Sequence, residues 1–317
     1  MRNIWLAIAI AMVVVVGACR PQPKAEVAVK SPEQVRLEQT VTFDTTSIAA
    51  AVRLDSIEGF AAIDSIEAKA WMLVDDSTGI IISARNAHQR RYMASLTKMM
   101  TGLLALEHGH LSDTIKITRD VFVHKNSHVR PGEAYVARDL LYLMMLISDN
   151  DAAHAIAKAV AGDTLRFYGK MNRKARYLCM SRTNFASPNG MPNDSNYSCA
   201  ADLVKLARYC MRDSAFAAIV RTAEKDIPLI DGRHRVCPNT NLLLRGYGGC
   251  TGIKTGFTRQ AEACLAAQAT RGGHTLTLVL LGSPTYEQLF AEAAALLDYG
   301  FNVMRAYDRN APLKPRG

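Results

Sequence analysis

Two β-type runs near one end of the chain and three near the other, with only helical periodicity between them, restrict the fold more than any other feature. Ala70-Trp71-Met72-Leu73-Val74 and Ile80-Ile81-Ile82-Ser83 flank Asp75-Asp76-Ser77-Thr78-Gly79, a turn-forming segment that predicts a hairpin. Gly252–Phe257, Cys264–Ala269 and Thr275–Leu281 predict three further strands, followed by a helix from about Glu287 to Leu297. Helical spacing runs from Ser95 through Leu106 and over 139–147, 152–160, 164–178 and 200–212. The expected class is α/β in the α+β sense: one antiparallel sheet of about five strands contributed by both ends of the domain, flanked by helices, with an inserted all-helical subdomain. A cleft between sheet and insertion is the natural place for a site.

The N-terminus points to a compartment. Met1-Arg2-Asn3 is followed by an apolar run from Ile4 to Ala18, too short to span a bilayer but suited to a signal-peptide core. It closes on Val16-Gly17-Ala18-Cys19, which resembles a bacterial lipobox; a plain secretory signal is the alternative. The expected division is a signal peptide over 1–18, a lipid-tethered linker over 19–60 with a possible short helix near Ser47–Ile57, a catalytic domain over 61–303 and a tail over 304–317. The protein is then expected outside the cytoplasmic membrane, periplasmic or cell-surface, anchored by a lipid on Cys19. A net charge of +9 raises nucleic acid as a partner, but the basic residues are scattered and aromatic residues make up only 7% of the chain, so no nucleic-acid partner is expected.

Besides Cys19 there are six cysteines, Cys179, Cys199, Cys210, Cys237, Cys250 and Cys264, which an oxidising compartment permits to pair. Cys250 and Cys264 flank an expected hairpin and can face each other across it, whereas Cys199 and Cys210 share a helix and lie too far apart to bond. Buried free thiols are the competing expectation. The close histidine pairs His108/His110 and His124/His128 lack a metal-site motif, so neither a metal nor a cofactor is expected.

The chemistry rests on three short motifs. Ser95-Leu96-Thr97-Lys98 is an S-x-x-K at a helix start, Ser148-Asp149-Asn150 lies between two helices, and Lys254-Thr255-Gly256 lies on a strand of the last hairpin. Each alone is weak; their order and their placement together are not. A serine at a helix N-terminus has unpaired N–H groups beside it that favour developing negative charge. A lysine three residues on lies one turn away on the same face and becomes a base once burial and a second cation, here Lys254, lower its pKa. Ser148 would relay the proton to the leaving amine, and Asn150 would hold the substrate amide or orient Lys98. The main-chain N–H groups of Ser95 and Phe257 would form an oxyanion hole.

From about Glu67 to Phe301 the chain resembles the serine D-alanyl-D-alanine carboxypeptidases, the low-molecular-mass penicillin-binding proteins. The resemblance is carried by Ala94–Thr101, Ser148–Ala153, Thr183–Gly190, Asn239–Leu243 and Gly252–Thr258. It implies a β-lactamase/transpeptidase-like fold and removal of the terminal D-alanine from peptidoglycan pentapeptides through an acyl-enzyme on Ser95. It also implies inhibition by β-lactams, and substrate contacts from Lys254, Thr255, Gly256 and Phe257. Three departures stand out. Asp149 replaces a common glycine, adding a charge beside the site or pointing away from it. Leu289 falls where the family usually carries a carboxylate-binding arginine, so that Arg259 or another cation substitutes or carboxylate selection weakens. Finally, the sequence runs only a short way past Phe301, so the β-rich second domain and C-terminal anchor common in relatives are not expected.

Three other functions compete. A class A β-lactamase would need an E-x-x-L-N deacylation motif, and none lies between Asn150 and Lys254. DD-endopeptidase action would use the same residues. A non-catalytic wall-binding lipoprotein would have no use for the intact set Ser95, Lys98, Ser148, Asn150 and Lys254.

Overall fold

The computed structural model describes residues 57–122 and 127–310. Met1–Ala18, Cys19, most of the linker and His124 lie outside the described residues.

After a short helix α1 (Phe60–Asp64) the chain forms β1 (Ala70–Asp75) and β2 (Ile81–Arg85). The turn between them is closed by Asp75, whose Oδ1 accepts from the N–H and hydroxyl groups of both Ser77 and Thr78. A 3-10 turn (Ala94–Leu96) leads into α2 (Thr97–His108). The insertion continues with β3 (Thr114–Lys116), β4 (Ala134–Val136), α3 (Ala137–Leu146), α4 (Asn150–Ala161), α5 (Thr164–Tyr177), α6 (Ala200–Cys210) and α7 (Ser214–Arg221). Next come β5 (Glu224–Pro228), β6 (His234–Pro238) and α8 (Leu243–Gly246). The chain closes with β7 (Cys250–Thr258), β8 (Glu262–Arg271), β9 (His274–Ser283) and α9 (Tyr286–Asn310).

The main sheet is antiparallel, in the order β2-β1-β9-β8-β7, so β1 from one end of the domain pairs with β9 from the other. Every residue of β1 is buried, because both faces of the sheet are covered. Met72, Val74, Ala266, Val279 and Leu281 face the inserted helices, while the alternate residues Trp71, Leu73, Leu265, Leu278 and Leu280 face α9. The insertion is not purely helical. It carries two small ribbons, β3–β4 and β5–β6, too short and polar to show a period-2 apolar pattern.

One element boundary differs from the sequence expectation. Helix α9 runs on to Asn310, so 304–310 continue the last helix and Met304 and Ala306 are buried. Gly300 reads as a helix stop but stays within α9; a Cβ there would meet Leu73 Cδ2 at 2.7 Å and Leu276 Cδ1 at 2.8 Å, so it lets the helix lie close on the sheet. The proposed facing of Cys250 and Cys264 is also wrong. The short turn sets Thr258 opposite Glu262, which brings Cys264 opposite Gly256 and Cys250 opposite Ala269. All six described cysteines are free thiols, and Cys199 and Cys210 sit at opposite ends of α6.

Candidate active site

Ser95 lies in the 3-10 turn that opens α2, and Lys98 is in the first turn of that helix. The three-residue spacing brings Lys98 Nζ to 2.8 Å from Ser95 Oγ. The Lys98 amine also donates to Asn150 Oδ1 at 2.8 Å and to the Asn189 carbonyl at 2.9 Å, so three oxygens fix its position. Ser95 is half-buried, whereas Lys98 is wholly buried. Burial, together with the nearby Lys254 cation, pushes the Lys98 pKa well below the usual lysine range; the Asp149 carboxylate pulls the other way.

Asn150 is the first residue of α4, and its side chain reaches across from the insertion to α2. Ser148, in the turn between α3 and α4, has a left-handed backbone (φ 62°), as does Ala94 (φ 45°) immediately before Ser95. Such conformations are costly for residues with a Cβ and tend to persist where a side chain must be aimed. Asp149 points away from Ser95 and Lys98. It caps α4 through Ala152 N–H (2.8 Å) and accepts from Ser127 Oγ and from the main-chain N–H groups of His128 and Val129. Burial pushes its pKa up, but the His128 side chain, with the Ala152 and His128 N–H groups and the Ser127 hydroxyl, brings it down to about 2.

Strand β7 forms the opposite wall. It is an edge strand, so alternate N–H and C=O groups along it are left free by the sheet. Gly256 lies so close to the Ser95 segment that a Cβ would come within 2.8 Å of Ser95 N. Lys254 is buried, donates to the Thr255 carbonyl at 3.0 Å, and has its pKa lowered by burial to about 7. The Thr255 and Thr240 hydroxyls lie 2.6 Å apart. Phe257 is exposed at the rim, its ring centroid 5.8 Å from that of Tyr286.

Ser95, Lys98 and Asn150 are thus in direct contact, with Gly256 against them and Lys254 close enough to act on Lys98 electrostatically. Leu289 is not at this site: it is fully buried in the core between α9 and the sheet. Arg259 is exposed just past the end of β7. His108 and His110 line a separate small cavity near the end of α2.

The residue that the motifs did not assign is Asn189, which acts through its carbonyl. Ser187 Oγ and Asn189 Oδ1 lock the turn around it, and Gly190 (φ 84°) packs directly on the Ala94 carbonyl. The Ser-Pro-Asn-Gly composition of 187–190 signals a turn, but nothing in it tells which carbonyl faces the site.

A family model described as D-alanyl-D-alanine carboxypeptidase, peptidase S11, matches residues 58–285. The chain belongs to this family. Relatives in the peptidase S11 group include the D-alanyl-D-alanine carboxypeptidase DacF of Bacillus subtilis (strain 168), 31% identical over 254 residues. That match takes in 77% of this chain and 65% of the relative, so the chain spans just under two thirds of that protein's length. The D-alanyl-D-alanine carboxypeptidase of Streptomyces sp. (strain K15) is 33% identical over 75% of this chain and 88% of its own. Among solved structures, the Streptomyces K15 DD-transpeptidase superposes with a TM-score of 0.71 at 32% identity, covering 74% of this chain and 97% of that one. The D-alanyl-D-alanine carboxypeptidase from Mycobacterium tuberculosis H37Rv gives 0.70 at 30% identity, covering 78% and 92%. The antiparallel five-stranded sheet with its flanking helices is the fold of these peptidases.

Proposed function

We propose that the protein is a serine D-alanyl-D-alanine carboxypeptidase that removes the terminal D-alanine from peptidoglycan stem peptides through an acyl-enzyme on Ser95. The observation that carries this reading is the contact between the Ser95 hydroxyl and a wholly buried Lys98 amine, 2.8 Å apart, with Asn150 and the Asn189 carbonyl orienting the amine. Neutral Lys98 takes the Ser95 proton, and Oγ attacks the carbonyl of the penultimate D-alanine. The oxyanion is received by the N–H groups of Ser95 and Phe257, an arrangement worth a few kcal/mol of barrier, roughly 3–4 for one good donor. The C–N bond then breaks, Ser148 passes the proton to the leaving D-alanine amine, and water hydrolyses the ester. Lys254, Thr255 and Gly256 hold the substrate's terminal carboxylate. A β-lactam acylates the same oxygen.

A second reading is suggested by the related Streptomyces K15 structure, which is titled a DD-transpeptidase. The same acyl-enzyme would there be resolved by an amine instead of water. We further propose that Cys19 carries a lipid after signal-peptide cleavage and holds the domain outside the cytoplasmic membrane, at the wall that relatives of this family process. The lipobox-like Val16–Cys19 supports this, and no helix among the described residues is long and apolar enough to cross a membrane.

The test is release of D-alanine from a synthetic N-acyl peptide ending in D-Ala-D-Ala. Release by the wild type and none by Ser95→Ala is expected; a wild type that binds penicillin covalently but releases no D-alanine, with or without an amine acceptor, would contradict the carboxypeptidase assignment.

A further inference from the structure

Beside the cleft lies an open groove of about 500 Å³ lined by Arg90, Arg91, Tyr92, Asp194, Tyr197 and Gln260. Its walls continue the three segments that build the site. Arg90–Tyr92 leads into Ser95, Asp194–Tyr197 follows Asn189 and Gly190, and Gln260 follows Phe257 just beyond β7. The walls are pinned to one another and to the catalytic helix. Arg91 and Ser198 exchange main-chain hydrogen bonds at 2.8 and 3.0 Å, and Asn196 Nδ2 donates to Thr97 Oγ1 at 3.1 Å.

The groove carries two guanidiniums against one carboxylate. Its carboxylate, Asp194, accepts from the Tyr92 hydroxyl at 2.5 Å. The Arg90 guanidinium carbon lies 4.8 Å from the Tyr197 ring centroid, and Arg91 Nη1 donates to the neutral Gln89 amide oxygen at 3.2 Å. Among the described residues, neither guanidinium has a carboxylate within ion-pair distance. Two arginines held in place without an anion favour planar, two-pronged recognition of a carboxylate.

Strand order tells which part of a substrate reaches them. Along β7 come Lys254 and Thr255, then Phe257, and Gln260 after the strand ends. A peptide with its terminal carboxylate at Lys254 and Thr255, and its reactive carbonyl at Phe257, extends its N-terminal side toward Gln260. Gln260 lies in the turn that follows β7, so the groove opens where the strand ends.

We infer that this groove is an acyl-donor subsite for a carboxylate carried by the substrate on the N-terminal side of its D-alanyl-D-alanine end. Arg90 and Arg91 grip the carboxylate, and the Tyr92 and Tyr197 rings flank the peptide. This assignment rests on the carboxypeptidase reading for the direction of the bound peptide.

The experiment compares two N-acyl peptides ending in D-Ala-D-Ala, identical except that the residue before the D-alanines bears a free carboxylate in one and a carboxamide in the other. Affinities are measured calorimetrically on full-length Ser95→Ala protein, which does not turn the peptides over. The carboxylate peptide is expected to bind on the order of tenfold more tightly at low salt. The preference should fall to about one when Arg90→Gln and Arg91→Gln are added, and should reverse with Arg90→Glu. The carboxamide peptide is the internal reference, so a fraction of unfolded variant cancels in the ratio. Equal affinities at the start, or a preference that survives the double arginine substitution, overturn the assignment. Turnover is scored separately on wild-type protein: the binding preference without D-alanine release would keep the anionic subsite and remove the carboxypeptidase reading.

Discussion

A lysine beside a serine hydroxyl is a useful base only after water has been taken from it. In this chain Lys98 is completely buried, with Lys254 near it and three oxygen acceptors around its nitrogen. The proposed mechanism needs the two lysines in opposite protonation states: Lys98 neutral to accept the Ser95 proton, Lys254 charged to attract the substrate carboxylate. The sign of the pH dependence follows. Acylation rises with pH as Lys98 loses its proton, at a pH well below that of an ordinary lysine, and falls as pH rises through about 7, where Lys254 deprotonates. The second-order rate of penicillin acylation between pH 4 and 10 should therefore be bell-shaped; a rate that climbs steadily to pH 10 would mean that Lys98 is an ordinary, solvated amine. At this scale much of the site was legible, because a side-chain spacing of three residues on a helix is geometry that a sequence carries. Asp149 was legible only as an alternative. Its carboxylate is used up by Ala152 N–H and the 127–129 segment, long-range partners that its neighbours in sequence do not announce.

At the scale of elements, the site depends on how closely three backbone segments approach one another. Gly190, with φ 84°, packs on the Ala94 carbonyl, and Gly256 packs on Ser95 N. Gly232 has a similar φ, 85°, but nothing within 4 Å of where its Cβ would be. The pair separates backbone strain from crowding. Gly232→Ala should lower stability by about 1 kcal/mol, the ordinary cost of a left-handed alanine, and leave acylation unchanged. Gly190→Ala carries the same strain and in addition pushes the Ala94–Ser95 peptide, so the acylation rate should drop by at least about 10²-fold. Melting temperatures and labelling rates of the two variants check this, and equal labelling rates would show that the 187–190 turn does not set the position of Ser95. The elements themselves were largely readable from period, but their contacts were not. Helix α7, only eight residues long, is too short for its period to mark it, although Asp213 caps it by accepting from Ala215 N–H and Phe216 N–H, and the Cys250–Cys264 expectation fails because hairpin register depends on turn length.

The whole molecule is closed by its last helix. Helix α9 covers the face of the sheet turned away from the insertion, and Glu292 on it accepts from the N–H groups of Glu67 and Ala68 and from Ser283 Oγ. One helix thereby ties together the two chain ends that form the sheet. The β runs at 70–83 and 252–281 made that sheet foreseeable, since strands from both blocks had to find partners. The extent of α9 was hidden by Gly300, whose lack of a side chain serves packing rather than termination. Leu289 shows the same limit. A register that matches the family's arginine position puts it near the site, whereas in the fold it is a fully buried core residue. Leu289→Arg should therefore fail to strengthen substrate binding and should destabilise the domain by about 3 kcal/mol or more, since it buries a charge without a partner. Thermal unfolding reads this directly; a variant of unchanged melting temperature would require the side chain to reach solvent or the cleft.

The most direct test of the central claim is covalent labelling of the full-length protein with a fluorescent penicillin, followed by mass mapping of the labelled peptide. The label is expected on Ser95, absent in Ser95→Ala, and slowed on the order of 10²–10⁴-fold in Lys98→Ala. A label on another residue, or undiminished labelling of either variant, would contradict an acyl-enzyme formed on Ser95 with Lys98 as its base.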